Sequence, residues 1–420
     1  MVQFHYRCAE CKAKYTADRV MYACEQDGAN LDVALDYGAI SAKQTPQRIS
    51  SNPDRSIWRY EPLLPVYMPP ASTGILRGVG GTRFFRAERI QGDGAGCRVW
   101  IKDDTGLPTA SLKDRASALV VAFALERGID RIITASTGNA GVALAGMAAA
   151  AGLEAVVVAP ANAPVAKVAQ ILMYGARLVL VRGGYSEAFQ LTIKAARELG
   201  WYCRNTGYNP LTSEGKKTVA FEICEQFTQA LGEPADGRWS VPDRILIPVG
   251  DGNIISGIHK GFVDLMALGW IERMPKLHGV QAEGSAAIAN AWKCGVTHIE
   301  SVKADTVADS ISADSPSDGR RALRAVADTG GGFSIVSDDE ILAAMSDLAR
   351  KSGVFAEPAS AAVYAGWLDL TKRQGIELDE DVVLLMTGHG LKDTEAALRP
   401  TDDVREIEPS VEALRGALDL

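Results

Sequence analysis

The sequence predicts an α/β protein with two parallel-sheet domains and a small N-terminal extension. Short apolar runs without polar alternation, such as RIITA (131–135) and RILIPV (244–249), recur between stretches long enough to form helices. Strands that lack a polar face are typical of parallel sheets covered by helices on both faces. The length of 420 residues exceeds what one hydrophobic core usually holds, so we expect two doubly wound domains.

The first 75 residues depart from this pattern. Residues 1–40 contain three of the seven cysteines and alternate aromatic with polar side chains, which predicts short β-hairpins. Residues 41–75 are rich in Ser, Pro and Arg. We expect them to form a linker with little regular structure.

From about residue 97, the pattern of strand, loop and helix repeats. The run AGVALAGMAAAAGL at 140–153 is rich in Ala and Gly and too short to span a bilayer, which favours a tightly packed buried helix. The predicted strands are 131–135, 155–160, 177–181, 244–249, 277–281 and 382–387.

The composition gives no sign of a nucleic-acid or membrane partner. The net charge is −8, and 23% of residues are charged, which is ordinary for a globular protein without a basic surface. The N-terminal MVQFHYRCAECKAKY lacks the apolar core of a signal peptide. Seven scattered cysteines, an odd number, favour reduced thiols. We therefore expect a cytoplasmic protein.

Four loops follow predicted strands, where open parallel sheets bind their ligands. They are TASLKDR (109–115), STGN (136–139), GDGN (250–253) and TGHGLKD (387–393).

The loop formed by Gly250, Asp251, Gly252 and Asn253 follows an apolar strand and opens a helix. Two glycines let backbone N–H groups face an anion, and the helix N-terminus favours negative charge, so the loop suits a phosphate. It lacks the Gly-Lys-Ser/Thr of a nucleotide-binding P-loop. The structural alternative is an ordinary strand-to-helix turn.

The loop at 136–139 suits a carboxylate, with the side-chain amide of Asn139 facing a ligand. Ser136 and Thr137 are equally able to cap the following helix. Thr387 ends a very apolar strand, where a hydroxyl group must find a partner. That partner is either the backbone or a heteroatom of a bound ring. His389 is a candidate acid or base, although loop histidines are more often structural.

Lys113 lies at the strand-to-helix junction of TASLKDR. A lone lysine there is usually a solvated first-turn residue. A lysine accompanied by a phosphate loop, a carboxylate loop and a ring-facing hydroxyl group describes a site for pyridoxal phosphate and an amino-acid substrate.

These motifs, in this order, resemble the tryptophan-synthase-β-like family, the fold-type-II pyridoxal-phosphate enzymes, and most closely its threonine synthases. The resemblance covers nearly the whole chain from about residue 58, through KDDTGLPTASLKDR, ASTGN, NPLTSEGKKT, PVGDGN and TGHGLKD. It implies that Lys113 forms a Schiff base with the cofactor and that Asn139 contacts its ring oxygen. It also implies that residues 250–253 hold the cofactor phosphate and that Thr387 faces the pyridine nitrogen.

The resemblance implies a carbon–oxygen lyase that converts O-phosphohomoserine and water to threonine and phosphate. It suggests a homodimer with a large domain, 41–113 and 206–420, and a small substrate-side domain, 114–205. The implied substrate-binding residues are Ser111, Ser136, Thr137, Gly138, Asn205, Thr206, Lys217 and Arg83.

The chain departs from the family pattern at three positions. Thr212 stands where many threonine synthases carry an arginine, Arg83 where proline is usual, and Leu107 where asparagine is common. Losing an arginine removes a bidentate phosphate contact, which Arg83 or Arg204 would have to replace. Related replacement of phosphoserine, as in cysteate synthase, dehydration of serine or threonine, and a non-catalytic binding protein stay open as alternatives.

The N-terminal extension resembles the zinc ribbon of some threonine synthases. Cys8 and Cys11 form a C-x2-C half-site, whereas Cys24 is followed by Asp27 in place of a second cysteine. Three cysteines with Asp27 or His5 are a possible zinc site. The alternative is a degenerate hairpin that packs without metal.

Overall fold

The structure is a computed structural model that describes residues 4–90, 96–136, 138–161, 165–232, 236–399 and 406–418. Thirteen strands form three sheets within this part of the chain. The strands are β1 (Phe4–Cys8), β2 (Lys14–Thr16), β3 (Leu31–Leu35), β4 (Arg83–Arg86), β5 (Arg98–Asp103), β6 (Arg131–Ala135), β7 (Glu154–Pro160), β8 (Arg177–Val181), β9 (Tyr202–Cys203), β10 (Arg244–Pro248), β11 (Lys276–Ala282), β12 (Gly332–Val336) and β13 (Asp381–Met386).

Fifteen α-helices are found in the same residues. They are α1 (Tyr37–Ser41), α2 (Pro46–Ser50), α3 (Lys113–Glu126), α4 (Asn139–Ala151), α5 (Val165–Met173), α6 (Tyr185–Leu199), α7 (Leu211–Lys216), α8 (Thr218–Leu231), α9 (Asn253–Ala267), α10 (Ala287–Lys293), α11 (Gly319–Asp328), α12 (Asp338–Ser352), α13 (Pro358–Lys372), α14 (Thr394–Leu398) and α15 (Val411–Leu418).

The large sheet has six strands in the order β12-β11-β10-β13-β5-β4. All neighbouring pairs are parallel except β4 and β5, which run antiparallel. Every residue of β10 and β13 is buried, as expected for central strands with helices on both faces. The antiparallel edge strand β4, with its two terminal arginines exposed, was not predicted.

The small sheet has four parallel strands in the order β8-β7-β6-β9. All four strands lie between residues 114 and 205, whereas the six strands of the large sheet lie outside that range. The predicted Ala-rich helix is α4, and it is buried over most of its length. Small side chains let α4 approach β7 closely: a Cβ atom added at Gly141 would lie 3.0 Å from Cγ1 of Val157.

The predicted strands are present, with ends shifted by one residue in four cases. The strand expected before the loop at 109–115, for which no range was predicted, is β5. Three strands were missed, namely β4, β9 and β12. Two of these, β4 and β12, lie at opposite edges of the large sheet, where partial exposure weakens the continuous apolar pattern. The third, β9, has only two residues.

The N-terminal residues form the expected hairpins as an antiparallel sheet in the order β2-β1-β3. The expectation of a linker with little regular structure at 41–75 was wrong. This segment contains α2 and 3-10 helices at Ile57–Leu63 and Ala71–Gly78. The side chains of Trp58 and Tyr60 are buried in the main hydrophobic core. Prolines and arginines suggested a loop, but the buried aromatic residues decide the packing.

No helix within the described ranges is both long and apolar enough to cross a membrane.

Candidate active site

A cavity of about 470 Å³ lies beyond the carboxyl ends of strands from both parallel sheets. Lys113 follows β5, Ser136 and Asn139 follow β6, and Asp251 follows β10. The cavity is also lined by Gly138, Tyr185, Thr206, Asp309 and Ser310. Loops that follow strands of both sheets therefore meet at this cavity, the position predicted from the sequence.

Lys113 is the first residue of α3 and lines the cavity. The backbone before it is tied to the C-terminal loop: Leu112 N–H donates to the Thr387 carbonyl (2.8 Å), and His389 N–H donates to the Ala110 carbonyl (3.1 Å). Burial lowers the pKa of Lys113, while the nearby Asp251 carboxylate acts in the opposite direction. A lowered pKa makes the neutral, nucleophilic amine easier to reach.

Asp114 and Arg115, the two residues after Lys113, fix the loop and do not line the cavity. Asp114 accepts hydrogen bonds from the backbone N–H of Thr109 (2.7 Å) and from its hydroxyl group (2.5 Å). Arg115 is fully buried between the carboxylates of Asp104 (2.7 Å) and Glu222 (2.7 Å). The Asp-Arg pair therefore anchors the start of α3.

The Glu222 carboxylate also accepts a hydrogen bond from Lys102 of β5 at 2.6 Å. All these side chains are at most 3% exposed. The cations Arg115 and Lys102 lower the pKa of Glu222 despite its burial. Since an unpaired buried charge is very costly, this network holds α3, α8 and the large sheet in one arrangement.

Thr387 is buried, and its hydroxyl group lies 3.1 Å from the Ser360 hydroxyl group. The Ser360 oxygen also accepts from the backbone N–H groups of Thr387 (2.9 Å) and Gly388 (2.8 Å). Gly388 pairs with Ser111 in an isolated antiparallel bridge, so the C-terminal loop directly supports the lysine loop. The Ser111 hydroxyl group is buried without a hydrogen-bond partner in the described part of the chain.

Asn139 donates through Nδ2 to the carboxylate of Glu357 at 2.9 Å and to the hydroxyl group of Ser310 at 3.1 Å. Its Oδ1 atom is buried and has no partner among the described residues. An unpaired buried acceptor is unusual and marks a place for a ligand. Gly138 precedes it, and an added Cβ there would lie 3.3 Å from Nζ of Lys167. Thr137 lies outside the described residues.

The loop 250–253 leads from β10 into α9. Gly252 has φ +91°, which a residue with a side chain rarely adopts. A Cβ atom at Gly250 would lie 2.8 Å from Cα of Ile311, and one at Gly252 would lie 2.8 Å from the Asp318 carbonyl oxygen. Both glycines are therefore required by close backbone approach.

Asn253 is held from three sides. Its Nδ2 group donates to the Ser213 hydroxyl group (2.8 Å) and to the Asp318 carboxylate, and its Oδ1 atom accepts from Lys216. The Asp251 carboxylate caps the loop by accepting from the Asn253 N–H at 3.0 Å. The shape suits a phosphate, whose charge would be offset by nearby cations in spite of Asp251.

Three expected substrate contacts lie elsewhere. The ammonium group of Lys217 is fully buried between the carboxylates of Glu214 (2.5 Å) and Asp264 (2.9 Å). Arg83 lies on the edge strand β4, where its side chain is 69% exposed and pairs with Asp103. Neither cation lines the cavity.

The side chain of Asn205 is used within the small domain. Its oxygen accepts from the backbone N–H of Ala135 at 2.7 Å, and its amide donates to the Thr192 hydroxyl group at 2.8 Å. Asn205 therefore joins the end of β6 to α6. Thr212 is also internal, because its hydroxyl group donates to the Asn209 carbonyl at 2.7 Å.

Two other cations lie behind the cavity wall. Arg204 donates to the hydroxyl group of the cavity residue Thr206 at 2.5 Å, and its second terminal nitrogen is buried with no partner in the described ranges. Burial lowers the pKa of Arg204 to about 10. Burial, and then the positive charge of Lys113, lower the pKa of Lys216. The Asp251 carboxylate acts on both groups in the opposite direction. Groups with strongly shifted pKa values cluster at functional sites.

Sequence reasoning named Arg204 only as a reserve and missed Lys216, Glu357, Ser360 and Lys167. Lys216 and Lys217 are adjacent, and the sequence does not show which of two neighbouring residues faces inward. Glu357 and Ser360 belong to a Glu-Pro helix start with no distinctive spacing. The His389 side chain is used within its own loop, where its Nδ1 atom accepts from the Leu391 N–H at 3.1 Å.

The fold and this site define a class of enzyme in which a lysine, a phosphate loop and a ring pocket hold pyridoxal phosphate. A sequence model of the family described as "Pyridoxal-phosphate dependent enzyme" matches residues 75–388. Because this match covers most of the chain, the protein belongs to that family.

The sequence relatives agree with the family. A protein of Methanosarcina acetivorans named threonine synthase is 36% identical over 417 residues, covering 99% of this chain and 98% of the relative. A threonine synthase of Methanocaldococcus jannaschii is 34% identical, with 98% of each chain covered.

Solved structures share the fold. O-ureido-L-serine synthase has a TM-score of 0.64 at 21% identity, over 83% of this chain and 100% of that chain. Threonine deaminase isoform 2 from Solanum lycopersicum has a TM-score of 0.62 at 22% identity, over 76% of this chain and 87% of the other.

The residues present fit pyridoxal phosphate, the cofactor of this family. The Asn139 Oδ1 atom and the Ser111 hydroxyl group are buried without partners among the described residues, and Asn139 lines the cavity together with Lys113. The glycines at 250 and 252 give the phosphate loop a backbone shape that a side chain would not allow. Lys113 would hold the cofactor carbonyl carbon, the 250–253 loop its phosphate, and Thr387 its ring nitrogen. When bound, the cofactor supplies an electron-withdrawing ring that stabilises negative charge on substrate carbons.

Proposed function

We propose that this enzyme converts O-phosphohomoserine and water to threonine and phosphate. The observation that carries the proposal is the 36% identity, along almost the full length of both chains, with a protein named threonine synthase. The cavity supports it, because Arg204 donates to the cavity residue Thr206 and Lys216 donates to Asn253 of the 250–253 loop, although Thr212 replaces the expected arginine.

The net reaction breaks the bond between Cγ and the phosphate oxygen and forms a bond between Cβ and the oxygen of water. One Cβ–H bond is also broken and one Cγ–H bond is formed, and the remaining hydrogen of the water molecule leaves with the phosphate. Lys113 is the residue placed to take and return protons at the substrate carbons, since its pKa is lowered and it lines the cavity. Arg204 and Lys216 would hold the substrate phosphate through charge-assisted hydrogen bonds.

The substrate carboxylate would lie against the loop of Ser136, Gly138 and Asn139 at the N-terminus of α4. Lys167 adds positive charge there: its ammonium group pairs with Asp309 at 2.6 Å and approaches Gly138. Thr206 faces the cavity between this loop and Arg204. These groups orient the substrate so that its phosphate points toward the cations.

The experiment that tests the proposal is a comparison of four substrates with purified enzyme and saturating cofactor. O-phosphohomoserine, O-phosphoserine, serine and threonine are supplied separately, and phosphate, ammonia and amino-acid products are measured. We expect threonine and phosphate in equal amounts from O-phosphohomoserine, with a specificity constant well above the others. Ammonia release from serine or threonine at a comparable rate would instead identify a dehydratase. Product formation from phosphoserine and sulfite would identify a cysteate synthase.

We also propose that the enzyme is a cytoplasmic homodimer. The proposal rests on the family resemblance and on the cysteines, all seven of which are free thiols. Light scattering during size-exclusion chromatography should give twice the 44.7 kDa mass of one chain.

A further inference from the structure

The N-terminal extension brings together four side chains of the types that bind metal ions. They precede Lys113 by more than 80 residues in the sequence. Sulfur atoms of Cys8, Cys11 and Cys24 and a carboxylate oxygen of Asp27 all lie within 4.8 Å of one another. Among the described residues, Asp27 and not His5 completes the group. The proposed reaction gives these side chains no role.

The distances within two pairs of these side chains are close to those of a tetrahedral metal site. The sulfur of Cys8 lies 3.4 Å from each carboxylate oxygen of Asp27, and the sulfurs of Cys11 and Cys24 are 3.6 Å apart. Two sulfurs bound tetrahedrally at the usual Zn–S distance would be about 3.8 Å apart, and a sulfur and a carboxylate oxygen about 3.6 Å. A disulfide would require a sulfur separation of about 2 Å.

The first pair of ligands lies in a tight turn after β1. The backbone N–H of Glu10 donates to the sulfur of Cys8 at 3.3 Å, and the Cys8 N–H donates to the Ala13 carbonyl at 2.8 Å. Lys12, directly after Cys11, has φ +68°. An N–H donor directed at a sulfur atom favours the thiolate, the form that binds metal.

The second pair repeats this turn position by position. The backbone N–H of Gln26 donates to the sulfur of Cys24 at 3.4 Å, and the Cys24 N–H donates to the Ala29 carbonyl at 2.8 Å. Gly28, directly after Asp27, has φ +71°. Asp27 therefore occupies the place that Cys11 has in the first turn. Two equivalent turns that present four ligands to one point have the geometry of a structural metal site.

The second turn is linked by hydrogen bonds to the cofactor-phosphate loop. Asn30, three residues after Asp27, donates to the Asp318 carboxylate and to the Ser317 carbonyl (3.3 Å). The same Asp318 carboxylate accepts from Asn253, and the Asp318 N–H donates to the Asp251 carbonyl at 2.9 Å. Asp318 thus joins the metal-ligand turn to the loop at 250–253.

A second contact reaches the small domain. The hydroxyl group of Tyr22 accepts from the Cys203 N–H at 2.8 Å, directly before Arg204, and its ring stacks on Tyr208 with centroids 4.7 Å apart. The N-terminal extension therefore contacts Asp318, which supports the phosphate loop, and Cys203, which precedes Arg204.

We propose that Cys8, Cys11, Cys24 and Asp27 bind one structural zinc ion, and that this ion holds the N-terminal sheet in place against the cofactor-phosphate loop. Three thiolates favour zinc over magnesium or calcium, and four protein ligands leave no open position for catalysis. The role of the ion is to position the loop through Asn30 and Asp318. The proposal does not depend on the substrate of the enzyme.

Metal analysis of the full-length holoenzyme tests the site. We expect one zinc per chain in the wild type and in Cys294→Ser, a control at an exposed cysteine outside the cluster. Cys11→Ser should lose at least ten-fold in zinc affinity. Asp27→Cys should keep zinc, because it completes a four-cysteine site. Absence of zinc from the wild type, one iron per chain in its place, or full zinc retention in Cys11→Ser would overturn the proposal.

Two further measurements separate ligand from structural effects. Cobalt exchanged into the site should give thiolate charge-transfer bands, and these should differ between the wild type and Asp27→Cys. Identical spectra would remove Asp27 from the ligand set. The dissociation constant of pyridoxal phosphate, measured by absorbance titration, should rise several-fold after zinc removal by a chelator. An unchanged constant would overturn the positioning role.

Discussion

At the residue scale, the site is defined by which charged side chains reach the cavity and which are neutralised inside the protein. Lys113 lines the cavity, Lys216 donates to Asn253 of the phosphate loop, and Lys217 is enclosed by two carboxylates. The last two are neighbours in sequence, so their different surroundings come from helix geometry. Replacing Lys113 should therefore affect turnover, replacing Lys216 should affect ligand binding, and replacing Lys217 should affect stability.

Replacing Lys113 should abolish both cofactor attachment and turnover. In Lys113→Ala, we expect loss of the visible absorption band of the lysine-bound cofactor and a fall in turnover of at least roughly 10²–10⁴-fold, because the proton-transfer group is removed. Lys194→Ala, at a side chain 71% exposed, serves as the control and should behave as wild type. Borohydride labelling of a lysine other than Lys113 would contradict the assignment.

Lys216 and Lys217 form a matched pair for testing phosphate recognition. Lys216→Ala should raise KM for O-phosphohomoserine by about one to two decades, since a charge-assisted bond contributes about 1.5–3 kcal/mol. Lys217→Ala should instead lower the free energy of unfolding by up to about 3–5 kcal/mol, because Glu214 and Asp264 lose a buried partner.

Steady-state kinetics at saturating cofactor and denaturant unfolding distinguish the two effects. If Lys216→Ala weakens cofactor binding and leaves KM unchanged, Lys216 serves the cofactor phosphate and not the substrate.

Thr387 tests the electronic environment of the cofactor ring. A hydroxyl group is a neutral partner, whereas a carboxylate would favour a protonated ring nitrogen. Thr387→Asp should therefore shift the absorption spectrum of the bound cofactor and divert turnover to abortive products, and Thr387→Ser should retain both properties. An unchanged spectrum and rate in Thr387→Asp would remove Thr387 from the site.

At the scale of elements, the active site depends on loops that are fixed at both ends. The lysine loop is bound to the C-terminal loop by the Ser111–Gly388 bridge. The backbone of the phosphate loop packs closely against the backbone of Ile311 and Asp318. Such rigid support keeps ligand-binding groups in place before the ligand arrives. The loops tolerate little added volume for the same reason.

Gly252→Ala should lower cofactor affinity at least ten-fold. The new Cβ atom would meet the Asp318 carbonyl oxygen at 2.8 Å in a backbone with φ +91°. Gly269 just beyond the other end of α9 also has positive φ, +68°, but nothing lies within 4 Å of its Cβ position. Gly269→Ala should thus cost about 1–2 kcal/mol of stability from backbone strain alone and leave cofactor binding unchanged. Equal affinities in the two variants would show that the loop adapts.

At the scale of the whole molecule, the pH dependence of stability should report the buried carboxyl group of Asp114. Burial raises the pKa of Asp114 from 3.8 to about 7. Between these values the folded protein binds a proton that the unfolded chain has released. The contribution of Asp114 to the free energy of unfolding therefore falls as pH rises from about 4 to 7, by up to about 1.4 kcal/mol per pH unit.

Asp114→Asn should remove that slope, since the amide keeps one acceptor for the Thr109 N–H and cannot ionise. Urea unfolding from pH 4 to 8 provides the measurement. A difference between wild type and Asp114→Asn that does not change with pH would show that Asp114 ionises normally.

The sequence by itself determined the architecture and the loop chemistry. Unbroken apolar runs specify buried parallel strands, because a strand covered on both faces has no place for polar side chains. The motifs at Lys113, Asn139, Gly250 to Asn253 and Thr387 indicated the cofactor, since each combines unusual residue types with the end of a strand. Each of these features is formed by residues that are consecutive in the chain, so the amino-acid sequence alone is enough to find them.

Only the tertiary structure decided which cations serve the site. Arg83 and Lys217 satisfied the sequence criteria, but Asp103, Glu214 and Asp264 neutralise them through contacts between separate elements. Likewise, residues 41–75 resemble a linker until Trp58 and Tyr60 meet the core. Charge pairing and burial depend on neighbours distant in sequence, and the free energy of a buried charge is set by those neighbours.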